Sequence, residues 1–257
     1  MYDPGEREGH AVAWHLTFRV FRYKQDGSPP RLDSFDVEAG PDEYVIDAIE
    51  RIWAEQDRSL VFRHACHHGA CGSCGLRING HERLPCTELI RGITVDGGTL
   101  TLEPLRNLPV VSDLLVNMAP FYERMEAVHF TPARVAEPIL DETSGRPAVQ
   151  PSPVLRYEDC LECGLCFSAC PIFGTDPEYL GPGALAAIAR MIQEPRDGVD
   201  VGALRRLADS EHGCWRCHVA FECSEVCPSG VDPARSIAAL RRQSVADGLG
   251  RLFGSWR

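Results

Sequence analysis

The twelve cysteines of this 257-residue chain fall in three tight groups, and no other feature restricts its folding so much. HACHHGACGSCGLRINGHERLPC, residues 64–86, holds four, with gaps of four, two and eleven residues. CLECGLCFSACP, residues 160–171, holds four more, with gaps of two, two and three. CWRCHVAFECSEVCP, residues 214–228, holds the rest. Disulfides belong to an oxidising compartment, and MYDPGEREGHAVAW has a charged start without the apolar core of a leader, so a reducing cytoplasm is expected. Three cysteines within nine residues would also pair badly, because bridged Cα atoms need a set separation. Structural zinc sites use close pairs split by a longer loop, unlike a tight group of three.

A gap of four and then two is the plant-type ferredoxin spacing for a [2Fe–2S] cluster, with Cys66, Cys71, Cys74 and Cys86 as ligands. Gly69, Gly72 and Gly75 let the loop turn tightly and bring its N–H groups toward a negative centre. Histidines replace two cysteines in a Rieske site. Here four cysteines already complete the set, so His64, His67 and His68 are read as loop residues.

The second group, followed by Pro171, is the bacterial ferredoxin run, whose fourth cysteine serves the other cluster of a pair. A matching run in the third group would have cysteines at 217, 220, 223 and 227; position 220 is Ala220. Crossing the ligands assigns Cys160, Cys163, Cys166 and Cys227 to a [4Fe–4S] cluster. Cys170, Cys217 and Cys223 remain, and three thiolates beside a missing corner suggest [3Fe–4S]. Cys214 is left over, either a fourth ligand from an unusual direction or a buried thiol, and free cysteine packs well as a small hydrophobe.

The flanks predict an α+β chain. Strands are expected at residues 16–23 and 31–39, with GSPP as the turn, and at GLRING and TLTLEPL. Residues 41–53 carry Val45, Ile49 and Ile52 on one helical stripe, with Pro41, Asp42 and Glu43 at its start. This outlines a plant-type ferredoxin (β-grasp) domain over residues 1–105. Residues 106–257 read as an all-helical, bacterial-ferredoxin-like domain. Its helices are expected over 181–197, with Leu185, Ile188, Ala189 and Ile192 on one face, over 201–213 and over 233–248. The turn-rich residues 131–153 read as a surface excursion. The net charge is −11 and no basic run marks a nucleic-acid surface. No stretch of 18 apolar residues appears, so the chain itself is not expected to span a membrane.

Taken together, the three groups resemble the iron–sulfur subunit of succinate dehydrogenase and fumarate reductase over roughly residues 16–245. LRNLPVVSDLLVNMAPFYERM is similar to that family's link between domains, and FGTDPEYLGP and CSEVCPSGVDPA are similar to its fumarate reductase members. The resemblance implies an electron-transfer subunit between an FAD-containing flavoprotein, where succinate and fumarate interconvert, and a quinone at a membrane anchor. It implies a peripheral place on the cytoplasmic face of the cell membrane, in respiratory complex II and the tricarboxylic acid cycle. Direction is not implied, because both reactions share the pattern.

The resemblance is uneven at the quinone wall. Ubiquinone-using members carry a pair of tryptophans where this chain has Gly174 and Thr175, and a serine where it has Ile172. That favours a low-potential naphthoquinone such as menaquinone. His218 matches the ubiquinone-type members, and Arg241 occupies the position of a basic residue presented to quinone. These two are the expected quinone-site residues; for Arg241 the alternative is a solvated arginine beside Arg242. Two other functions remain open on the residues alone: service to a related dehydrogenase with another substrate, and a structural zinc protein.

Overall fold

The computed structural model describes residues 13–128, 157–193 and 198–253. The expected excursion at 131–153 and the end of the 181–197 helix lie outside them. Two compact units result. One runs to Pro104 and includes Val110–Leu115; the other takes Leu105–Pro109 and the chain from Val116 onward. The sequence suggested a single boundary after residue 105, whereas the chain passes between the units three times. Asp113 explains the return to the first unit. Its N–H donates to the Tyr23 carbonyl at 2.9 Å, and its carboxylate accepts from the Tyr23 and Val61 amides at 3.0 and 2.9 Å.

In the first unit, Trp14–Arg22 (β1) and Arg31–Ala39 (β2) pair antiparallel along their whole length, with Leu16 opposite Val37 and Phe18 opposite Phe35. Alternation buries Leu16, Phe18 and Val20, each worth roughly 1.5–3 kcal/mol when fully buried. The same alternation turns Arg22 inward, where its side chain is 3% exposed. Three carboxylates meet it: Asp57, Asp113 at 3.2 Å and Asp33 at 3.5 Å.

Leu76–Ile78 (β3), His81–Arg83 (β4) and Thr99–Glu103 (β5) complete a sheet of order β2-β1-β5-β3-β4, in which β1 and β5 run parallel. GLRING was expected to be one strand. It is instead half of a hairpin whose turn residues Asn79 and Gly80 take φ of 51° and 84°, the mirror-image turn that matches strand twist. Val45–Arg51 (α1) buries Val45, Ile46, Ala48 and Ile49, then widens into a π-helical turn over Ile52–Gln56. It starts four residues later than expected because the acidic start is used as a loop brace. Glu43 Oε1 accepts from the Gly40 amide at 2.7 Å, and Asp47 accepts from the Tyr44 amide at 3.1 Å. Ile90–Ile93 (α2) is a single turn, and Val110–Ser112 (β6) pairs with Leu115–Val116 (β7) in a short ribbon.

The second unit is helical: Ala119–Ala127 (α3), Leu165–Ala169 (α4), Pro182–Gln193 (α5), Val201–Ala208 (α6), Glu222–Glu225 (α7) and Pro233–Phe253 (α8). The expected apolar stripe on α5 is buried, but so are Ala184, Ala186, Ala187 and Met191. An all-round apolar helix belongs in a core, and α5 packs against α3, α4, α6 and α8. The sequence placed the end of α6 at Gly213. It ends at Ala208, and a Cβ at Gly213 would sit 2.2 Å from the Ala208 carbonyl oxygen, so the glycine serves the close turn after it. The expected stop near Gly248 is passed by α8. A mid-helix glycine costs about 1 kcal/mol against alanine, and the Arg205–Asp247 ion pair at 2.7 Å holds the helix just before it. No helix among the described residues is long and apolar enough to cross a membrane.

Candidate metal centres

All twelve cysteines are free thiols. The first loop follows the π-helical turn and closes through β3, β4 and the turn at Cys86. Gly69 and Gly72 take φ of 72° and 68°, and a Cβ at Gly69 would meet the Thr87 side chain at 2.7 Å. Gly75 takes no such conformation. Cys74 and Cys86 are buried with their sulfurs 3.4 Å apart. Two metal–sulfur bonds of about 2.3 Å at a tetrahedral angle span about 3.8 Å, so this pair needs little adjustment to share one iron. On the open side, the amides of Ala70 and Cys71 donate to Cys66 Sγ at 3.3 and 3.4 Å. The His68 and Cys71 amides hold the Cys66 thiol down to about 6, a sulfur ready to be a thiolate. Burial pushes Cys74 up to about 12, so it ionises only when a cation arrives.

In the second unit the cysteines gather around two cavities. The first is lined by Cys160, Cys163, Cys166 and Cys227. α4 carries Cys166 inward, and Cys227 reaches the same space from the far end of the chain's third group. The Val231 amide donates to Cys227 Sγ at 3.4 Å. Burial pushes Cys163 up to about 12 and Cys166 well above the usual thiol range. Burial raises Cys160 as well, and thiols that resist ionising alone suit a shared cationic core; with Cys227 the donor set fits [4Fe–4S].

The second cavity is lined by Cys170, Cys217, Cys223 and Ala220. His218, Ile172 and Tyr179 share its wall. The Val219 amide donates to Cys217 Sγ at 3.3 Å. Among the described residues the buried Tyr179 hydroxyl has no hydrogen-bond partner; desolvation, with the thiols of Cys217 and Cys170 nearby, pushes it above its usual range. Cys214 lines neither cavity and is fully buried, pushed up to about 11 by burial despite Arg241.

Arg241 lies on α8. Its guanidinium donates to the carbonyls of Cys214 at 2.9 Å, Trp215 at 3.3 Å and Cys217. The alternative of a freely solvated arginine does not describe it. Among the expected quinone-site pair, His218 lines the cavity and Arg241 does not. Gly174 has no room for a side chain: a Cβ there would lie 2.2 Å from Asn107 Oδ1. Asn107 Nδ2 is itself engaged with the carbonyls of Phe167, Ser168 and Cys170 at 2.9–3.0 Å.

Comparison with known proteins agrees with both halves. The family described as 2Fe-2S iron-sulfur cluster binding domain matches residues 17–123, and that described as 4Fe-4S dicluster domain matches residues 156–231. Fold and centres thus define a two-domain iron–sulfur electron carrier. The chain is 32% identical over 243 residues to a fumarate reductase iron-sulfur subunit of Mycobacterium tuberculosis, covering 94% of this chain and 97% of that one. It is 34% identical over 235 residues to the succinate dehydrogenase iron-sulfur subunit of Paracoccus denitrificans, covering 89% and 87%. A chain of the Mycobacterium smegmatis Sdh1 complex in the apo form superposes with a TM-score of 0.76 at 28% identity, covering 92% and 98%. This chain belongs to the family of iron–sulfur subunits of succinate dehydrogenase and fumarate reductase, and its function is electron transfer within that complex.

Proposed function

We propose that the chain links an FAD-containing flavoprotein acting on succinate or fumarate to a membrane quinone of the naphthoquinone type, and that an anchor subunit holds it at the cytoplasmic face of the cell membrane. When bound, a [2Fe–2S] cluster at Cys66, Cys71, Cys74 and Cys86, a [4Fe–4S] cluster at Cys160, Cys163, Cys166 and Cys227, and a [3Fe–4S] cluster at Cys170, Cys217 and Cys223 would carry single electrons between the two.

The observation that carries this reading is the methyl of Ala220 among three cysteines around one cavity. Alanine offers no ligand, so the residues present favour a three-iron core. The chain's own contribution is to keep thiolates in place, to aim backbone amides at sulfur and to exclude water from Cys170 and Cys223, which are buried. Trp215, Val219 and Phe221 beside this cavity are 47%, 43% and 50% exposed, an apolar surface suited to an anchor subunit and a quinone ring. The closed space at Gly174 supports a quinone pocket without the ubiquinone-type tryptophan.

Anaerobic purification followed by iron and sulfide analysis, low-temperature EPR and identification of copurified polypeptides tests the proposal. Two-, three- and four-iron signals with a flavoprotein and an anchor are expected. Two four-iron clusters, or a different dehydrogenase partner, would overturn it.

A further inference from the structure

Glu50 lies on α1, and His64 and His67 flank Cys66 in the cluster loop, yet their side chains meet. His64 Nδ1 is 2.9 Å from Glu50 Oε1, His67 Nε2 is 3.1 Å from the same oxygen, and the two ring nitrogens are 3.0 Å apart. Hydrogen bonding alone accounts poorly for such a triangle. A ring N–H lies along one line, so each imidazole can donate to only one of its two neighbours, and an ionised carboxylate has no proton to give. If both histidines donate to Glu50, two donors face each other across 3.0 Å. If one donates to the other, lone pairs face each other on a remaining side. A cation accepts all three lone pairs at once.

The dimensions suit one. Atoms at these separations lie about 1.7 Å from their common centre, so metal bonds of about 2.0–2.2 Å reach all three from a point about 1 Å off their plane. We propose that Glu50, His64 and His67 form a site for a divalent first-row transition cation of the zinc class, separate from the cysteine centres. Two imidazoles and one carboxylate exclude the all-oxygen preference of calcium and magnesium and the thiolate preference of copper(I). The three side chains are 32–40% exposed, which leaves the remaining coordination positions to water. The loop is built to present them: Phe62 stacks on His64 with ring centres 5.0 Å apart, and His67 takes φ of 60°, a left-handed conformation that turns it back toward His64. A bound cation would tie α1 to the segment leading into Cys66.

The test uses the cluster-loaded complex, so that cysteines are occupied by iron. It is dialysed against a buffered micromolar series of Zn²⁺, and bound zinc is measured by mass spectrometry. Zinc-edge X-ray absorption reports the neighbouring atoms. We expect one zinc per chain bound through nitrogen and oxygen, with affinity reduced at least about tenfold in Glu50→Gln, His64→Gln and His67→Asn. Asparagine tolerates the left-handed backbone at 67, so that variant keeps the loop, and an unchanged [2Fe–2S] EPR signal shows that each variant is folded. Sulfur neighbours at the zinc edge, or equal zinc binding by wild type and all three variants, would overturn the proposal, as would no zinc bound by wild type.

Discussion

The Arg241 Nε donates to the Cys214 carbonyl at 2.9 Å, and the same guanidinium reaches the Trp215 and Cys217 carbonyls. One side chain of α8 therefore holds the turn that presents Cys217 to its cavity. Arg241→Gln should loosen this turn. The expected result is a weaker three-iron EPR signal that decays faster in air, with the two-iron signal unchanged. A selective rise in the KM for quinone, with the cluster intact, would instead place Arg241 in the quinone site.

If the centre at Cys170, Cys217 and Cys223 holds three irons as proposed, Ala220→Cys supplies a fourth ligand. The third centre should then shift toward [4Fe–4S] with a lower potential, slowing electron delivery to quinone while dye reduction at the flavin persists. Cys214→Ala should leave the three-iron signal near one spin per chain, because Cys214 lines neither cavity. A three-iron signal that arises only in the Cys214 variant would show that Cys214 is a ligand.

Tyr179 places a hydroxyl with no hydrogen-bond partner among the described residues in the wall of the second cavity. Hydrogen bonds to cluster sulfur stabilise the more negative, reduced state and raise the potential. Tyr179→Phe should lower the midpoint potential of that centre in an EPR-monitored redox titration without loss of iron.

Asp113 sits beneath Arg22 and Lys24 with no exposed surface. Asp113→Asn leaves two cations short of an anion and should destabilise the first unit by about 3–5 kcal/mol in urea unfolding. Asp57 tests the pH dependence. Its hydrogen bond from Arg22, then that from Ser59, holds it down to about 2. A depressed carboxylate stabilises the fold fully above its unfolded value of about 3.9, and that contribution is lost as pH falls through about 2. The gap between wild type and Asp57→Asn should be constant above pH 5 and close between about pH 4 and 2.

Short spacings bring the cysteines forward as candidate ligands, and the structure gathers Cys160, Cys163, Cys166 and Cys227 around one cavity and Cys170, Cys217 and Cys223 around another. The β1–β2 hairpin was equally plain from alternation. The β4 strand was missed although Asn79-Gly80, the strongest short hairpin signal, announced it. Other features had no local signal. The meeting of Glu50 with His64 and His67 depends on how α1 and the cluster loop pack. The grip of Arg241 on the 214–217 turn joins residues more than twenty positions apart. Helix ends were misplaced where a long-range partner, such as Asp247 for Arg205, outweighed the glycine that would have stopped the helix.

The threefold passage of the chain between its units bears on how such a protein can be cut and recombined. A fragment ending at residue 105 would discard Asp113 and strand Arg22 and Lys24 without their buried anion. One beginning at 110 would lose Asn107 and, with it, the clamp on the carbonyls of Phe167, Ser168 and Cys170. The two halves are therefore not interchangeable cassettes. A swap with another electron carrier must splice at three junctions at once, which binds the inheritance of one domain to that of the other.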